Sequence, residues 1–355
     1  MKMKKWTKAE LEQLLEKVNH RLLHLSNDSI DEVCPIGIID FNKWEWPQGV
    51  GLYGMYQAYA RTGNREELDF ILTWFRERFA EGVPERNVNT TAPMLTLACV
   101  AEELQDKELL DFCAEWAEWI MKEMPRTEEG GLQHIVSGEE NRQQIWDDTL
   151  FMTLLFLAKM GVILDREDYR QEACYQFLLH AKYLVNTENG LWYHGWTFLE
   201  RNNFAKALWA RGNCWITAGI PEIIEILRPE DYLCRYLTGL LKSQVDTLRK
   251  LQAPSGMWHT LLDDETSYEE TSAAAGFAYG ILKGIHMGLL SDEYQEMADK
   301  AVEGVIEQIA EEGTVGQVSY GTGMGRDLQH YRDIPICPMA YGQSLVMMML
   351  NEVLV

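Results

Sequence analysis

Positive charge is scarce in this chain: 32 lysines and arginines stand against 55 aspartates and glutamates, a formal charge of -23. That shortage excludes nucleic acid or an anionic membrane as the main partner, because both are bound through basic surface. It also requires that any anionic ligand be held by local cations. Long apolar runs are missing as well. No stretch of about 18 apolar residues occurs, so no membrane span is expected. Residues 6–16, after the basic Met1–Lys5, are charged and amphipathic rather than the apolar core of a signal peptide. Cysteine is sparse and scattered, with seven at positions 34, 99, 113, 174, 214, 234 and 337, and no C-x-x-C pair. These read as reduced core thiols of a cytoplasmic protein, with neither disulfides nor a metal site. Strand patterns are few; His134-Ile135-Val136 and Leu191-Trp192-Tyr193-His194 are short hairpin candidates.

What remains is helix. With 46% hydrophobic and 25% charged residues, the chain has ample material for a core. Thr7 and Glu10 form a capping box, after which Leu11, Leu14, Leu15, Val18 and Leu22 follow one helical face. Apolar helices are then expected from about residue 50, 88, 146, 210, 271 and 339 onward. Amphipathic helices start near residues 65, 107, 167, 231 and 293 and return from the first five. A helix that is apolar all round belongs inside a bundle, and one with a single stripe belongs outside it. Six of each, alternating over residues 1–355, describe an all-α (α/α)6 barrel, a six-hairpin toroid forming one domain. A six-pair superhelix has the same helix count, and closure is what separates the two.

In such a ring the inner helices run parallel, so the residues preceding them meet at one rim. The central stretch is Gln144-Ile145-Trp146-Asp147-Asp148-Thr149-Leu150-Phe151-Met152, where two acids open the third apolar helix. Adjacent helical residues point about 100° apart, so one of the two is expected to face the centre. The other rim residues are Trp44 and Trp46, Asn87 and Asn89, Arg211, Asn213 and Trp215, Glu269 and Glu270, and Gln343. Nearby loops add His134, His194 with Trp196, and His330. Aromatic faces beside hydrogen-bonding side chains suit a sugar, whose C–H faces stack while its hydroxyls need partners. Arg211 opens a buried helix, and Arg is seldom buried unpaired, so it is expected to meet a rim carboxylate or an anionic ligand.

These residues resemble glycoside hydrolase family 105, the unsaturated rhamnogalacturonyl hydrolases, and more distantly the unsaturated glucuronyl hydrolases of family 88. The matching stretches are Trp44-Glu45-Trp46, Asn87-Val88-Asn89-Thr90-Thr91, the Trp146-Asp147-Asp148-Thr149-Leu150-Phe151-Met152 block, Tyr193-His194-Gly195-Trp196, Trp209-Ala210-Arg211-Gly212-Asn213-Cys214-Trp215, Gly256-Met257-Trp258, Glu270-Thr271-Ser272 and Pro338-Met339-Ala340-Tyr341-Gly342-Gln343. The resemblance implies an (α/α)6 barrel and a single catalytic Asp, which falls on Asp148. It also implies release of a C4=C5 unsaturated uronic acid from small oligosaccharides left by lyases, rhamnogalacturonan disaccharides above all, by protonation at C4 and hydration at C5. The family 88 enzymes carry a second important Asp at the second inner helix, where this chain has Asn87 and Asn89.

Trp44, Trp46, Asn89, His134, Trp146, His194, Arg211 and Trp215 are the expected substrate contacts, with no cofactor or metal, in a monomer or homodimer. Protonating C4 requires Asp148 to hold a proton. Burial beside Trp146 and the like charge of Asp147 raise its pKa, whereas the helix N-terminus and Arg211 lower it. Three other readings use the same barrel: an inverting glycosidase pairing Asp148 with Glu269 or Glu270, a sugar epimerase or isomerase working through His194 and His330, and a non-catalytic scaffold.

Overall fold

The computed structural model describes residues 6–25 and 40–355; Met1–Lys5, Cys34 and most of the loop at 27–42 lie outside the described residues. The Thr7–Glu10 capping box is formed and starts helix α1, Lys8–Leu23, which buries Leu11, Leu15, Val18 and Leu22. Six helices build the inner layer: α2 (Trp46–Thr62), α4 (Val88–Leu104), α6 (a π-turn at Leu150–Leu154 running into Leu155–Ile163), α8 (Ala210–Leu227), α10 (Thr271–His286) and α13 (Ala340–Val353). The outer layer is α1 with α3 (Arg65–Glu81), α5 (Lys107–Lys122), α7 (Glu167–Leu184), α9 (Asp231–Leu251) and α11 (Gln295–Ile306); a short α12 (Leu328–Arg332) lies in the last loop.

Each inner helix packs on the next, and α13 returns to pack on α2, so the ring closes. That settles the choice between barrel and superhelix. Helices α3, α5, α7, α9 and α11 each cover the inner helix before them, and α1 covers α13. Inner helices touch closely where side chains are small. At Gly280 of α10 an added Cβ would overlap the Thr217 carbonyl of α8. Gln343 joins the chain ends: its amide donates to the carbonyls of Val18 and Gly313, and its oxygen accepts from Val315.

The interior of the ring is filled. Trp46 meets Trp215 edge-on, Trp215 packs on Phe151, and Phe151 meets Tyr53, with centroids 6.4, 5.0 and 6.4 Å apart. Tyr53 then donates to Glu222, a buried acid that also receives Gln57, Tyr279 and Lys283. This column spans the ring from the N-terminal ends of its helices to the far side.

The strands differ from expectation. Gln144–Trp146 (β1) pairs antiparallel with Gly195–Thr197 (β2), Ile145 opposite Trp196. Trp146 therefore ends a strand rather than opening the helix. The expected hairpin pieces supply only single bridges, Val136 to Glu139 and Trp192 to Val185. Among the described residues no helix is long and apolar enough to cross a membrane.

Candidate active site

A cleft opens at the N-terminal ends of the inner helices. Trp46 of α2, Asn89 of α4, Asp148 and Met152 at the start of α6, and Arg211 of α8 come to it from first turns. His134, Val136, Glu139, Trp146, Trp209, Thr322 and Gly323 enter from the loops and β1. Trp46 is stacked on Tyr341 (4.6 Å, 21°), and Trp146 on His134 (4.0 Å, 14°), so both indoles are held in fixed planes. The Arg211 guanidinium lies between the rings of Trp209 and Tyr341, 4.5 and 4.8 Å from their centroids. It donates to Ser319 and to the Tyr320 carbonyl, which leaves its buried Nε without a partner.

Asp148 sits at the inner end of this cleft. Its Oδ2 lies 3.2 Å from His194 Nε2, and His194 Nδ1 lies 2.7 Å from the Tyr331 hydroxyl. Burial pushes the Asp148 carboxyl up. The hydrogen bond and charge of His194, with His134 and Asp147, outweigh that and hold it below the usual carboxylate range. Arg211 is not among the leading causes. Asp147 behaves oppositely: fully buried beside a like charge, it is pushed well above the usual range. His134 donates to or accepts from Thr149 Oγ1 at 2.8 Å, and burial drives its pKa down to about 3, so it is neutral at ordinary pH. Ligand-capable atoms of Asp147, Asp148 and His194 lie within 4.8 Å of one another. Both nitrogens of that imidazole are already hydrogen-bonded and Asp147 has no exposed surface, which suits a proton network better than an open coordination shell.

A model of the family described as Glycosyl Hydrolase Family 88 matches residues 15–355. The chain belongs to that family. This family 88 hydrolase is 33% identical over 319 residues to the unsaturated rhamnogalacturonyl hydrolase YesR of Bacillus subtilis (strain 168), covering 89% of this chain and 91% of that one. A solved structure described as a possible member of family GH105, from Salmonella enterica serovar Paratyphi A, superposes with a TM-score of 0.96 at 47% identity, covering 100% of this chain and 96% of that one. Its counterpart from Klebsiella pneumoniae gives 0.94 at 47%, covering 99% and 94%. An unsaturated glucuronyl hydrolase from Bacillus sp. GL1, 19% identical with a TM-score of 0.72 over 98% of this chain and 97% of that one, shares the barrel fold.

Within the hydrolase, the expected sugar contacts divide. Trp46, Asn89, His134, Trp146, Asp148 and Arg211 meet at the cleft. Trp44 does not: its indole donates to the Thr90 carbonyl and packs among Trp74, Phe75, Phe79 and Trp116, in the wedge between inner and outer layers. Nor does Trp215, which lies one helical turn below Arg211, wholly buried behind Trp46. His194 is also buried and stands behind the cleft wall, bonded to Asp148 and packed against the Trp146 and Trp209 rings.

Other rim candidates are structural. Asn87 caps α4, Asn213 ties the Trp192 backbone to α8, and Glu270 caps α10 while accepting from Ser319 N–H. Glu269 is hydrogen-bonded to Ser255, and exposed His330 to Thr322. Sequence reasoning missed Trp209, Met152, Glu139 and Tyr331. The last follows His330 directly, and only the fold reveals which of the two rings turns inward.

Proposed function

We propose that this glycoside hydrolase removes a C4=C5 unsaturated uronic acid from the non-reducing end of a small oligosaccharide, and that Asp148 carries the reaction. The observation behind this is that, among the described residues lining the aromatic cleft, Asp148 is the one carboxyl away from the exposed rim, where Glu139 lies, while Glu270 is spent as a helix cap. Ordinary glycosidases need two opposed carboxyl groups at a set separation. Hydration of an enol ether needs one acid that then becomes a base.

Asp148 delivers a proton to C4, and the alkene pair forms the new C–H bond. C5 becomes an oxocarbenium centre stabilised by the ring oxygen. Water adds to C5 as Asp148 takes back a proton, and the resulting hemiketal opens and releases the neighbouring sugar from C1. The hydrogen bond from His194 fixes the direction of the carboxylate. In this reading Arg211, the one permanent cation among the described residues lining the cleft, holds the substrate carboxylate, while Trp46 and Trp146 offer ring faces and Asn89 its amide.

The leaving sugar in this reading is neutral, rhamnose in a rhamnogalacturonan fragment: Val136, Glu139, Thr322 and Gly323 line the outer cleft and supply no cation for a sulfate or a second uronate. The name of the Bacillus relative agrees. Residues 1–355 are read as one catalytic domain acting in the cytoplasm on small oligosaccharides, as a monomer or homodimer.

The test is ultraviolet absorbance of the conjugated double bond in lyase-generated disaccharides. Wild type should remove it and release free rhamnose, faster than it attacks sulfated glycosaminoglycan disaccharides. Asp148→Asn should lower kcat by about 10³-fold or more with the fold intact. Unchanged absorbance with wild-type enzyme sinks the reading.

A further inference from the structure

Asp147 is left without a task by the reaction above. Its side chain is wholly buried, and its carboxyl faces only backbone N–H groups of its own turn and the Asp148 carboxyl, with no cationic side chain bonded to it. The wall it faces is the backbone of α8 at Gly212, where an added Cβ would overlap the carboxyl. The groups around it are Asp148 on its own turn, His194 ahead of β2, His134 ahead of β1, Arg211 and Cys214 of α8, and Tyr331 of α12. Only Arg211 among these is permanently cationic, and its guanidinium is turned to Ser319 and Tyr320. A carboxylate buried with no cation bonded to it and a second carboxylate beside it is strongly disfavoured, so Asp147 carries a proton. The acceptor for that proton is the Asp148 carboxylate, its side-chain hydrogen-bond partner, and the two acids cluster with His194 within 4.8 Å.

We infer that Asp147 and Asp148 hold one proton between them, which rests on Asp147 when the cleft is empty and leaves through Asp148 when substrate reacts. The inference rests on the reaction proposed above. The proton crosses from Asp147 to Asp148, leaving Asp147 ionised. The Asp148 O–H bond then breaks as the C4–H bond forms. After water attacks C5, its surplus proton passes to Asp148 and back to Asp147, so the pair ends as it began. Asp147 touches no substrate atom and is a positioning residue. Two like acids sharing one site divide their pKa values in this way, and here burial and His194 decide which acid holds the proton at rest.

Asp147→Asn tests this, because the amide keeps the volume and a donor toward Asp148 but has no proton to pass. At neutral pH kcat should fall about tenfold or more with KM within about twofold. The acid form is required, so activity is lost as pH rises; with the pair broken, that alkaline limb of kcat should move to lower pH by about one unit or more. A packing role alone lowers the melting temperature and leaves the limb in place, and an unmoved limb overturns the inference. A second measurement needs neither a variant nor a substrate: carbon-13 NMR of labelled aspartates in the wild-type enzyme should show one protonated carboxyl at pH 7, and its absence also overturns the inference. Wild type that leaves unsaturated disaccharides intact removes the proposed reaction instead, while the NMR result still judges the shared proton.

Discussion

Arg211 shows how much one side chain is asked to do. Its guanidinium is clamped between two rings and bonded to the loop at Ser319 and Tyr320, so its position is fixed before any ligand arrives. Arg211→Lys keeps the charge but loses the planar fork. KM for the unsaturated acid should rise about tenfold, which is roughly one charge-assisted hydrogen bond, and the melting temperature should fall as Ser319 and Tyr320 lose their donor. Equal KM values in variant and wild type would remove Arg211 from carboxylate binding. At this scale the sequence is a partial guide. Polar residues beginning apolar helices were readable as rim residues but not as site residues, because capping calls for the same types: Asn87 and Glu270 cap their helices, while Asp148 and Arg211 reach the cleft. Tryptophan was not: Trp44, Trp46, Trp146 and Trp215 are chemically alike, and only packing decides that Trp46 and Trp146 show a face while Trp44 and Trp215 are core.

The elements were more legible than the residues they carry. Helix type followed from whether apolar residues covered one stripe or the whole surface, and that pattern persists over ten or more residues. The strand Gln144–Trp146 was hidden because three residues are too few to display a period of two, and its pairing with Gly195–Thr197 crosses some fifty positions. Helix α8 carries a backbone feature with a direct consequence for the acids. Gly212 leaves the space that the Asp147 carboxyl occupies, so Gly212→Ala should displace that acid although it adds one methyl group to a good helix position. Stability should drop by about 1–3 kcal/mol, as overpacking does elsewhere. Chemical denaturation measures that loss, and kcat should fall alongside it. A variant with unchanged stability would show that the acid is not lodged against α8.

For the whole molecule, the net charge of -23 sets an expectation about encounter. The substrate is an anion in the proposed reaction, so the field of the protein repels it until it reaches Arg211. Raising ionic strength from 0.01 to 0.15 M shortens the screening length from about 30 to about 8 Å, and kcat/KM should rise over that range. A steady decrease would mean that local cations dominate the approach. Ring closure was the part of the architecture that helix counting left open, because it depends on α13 meeting α2 nearly three hundred residues away.

The aromatic column from Trp46 through Trp215 and Phe151 to Tyr53, with Glu222 beneath it, makes the ring a socket with a floor. A polymer cannot thread through a socket, so an enzyme built this way takes one terminal unit at a time. It must let each fragment back out by the way it came before another can dock.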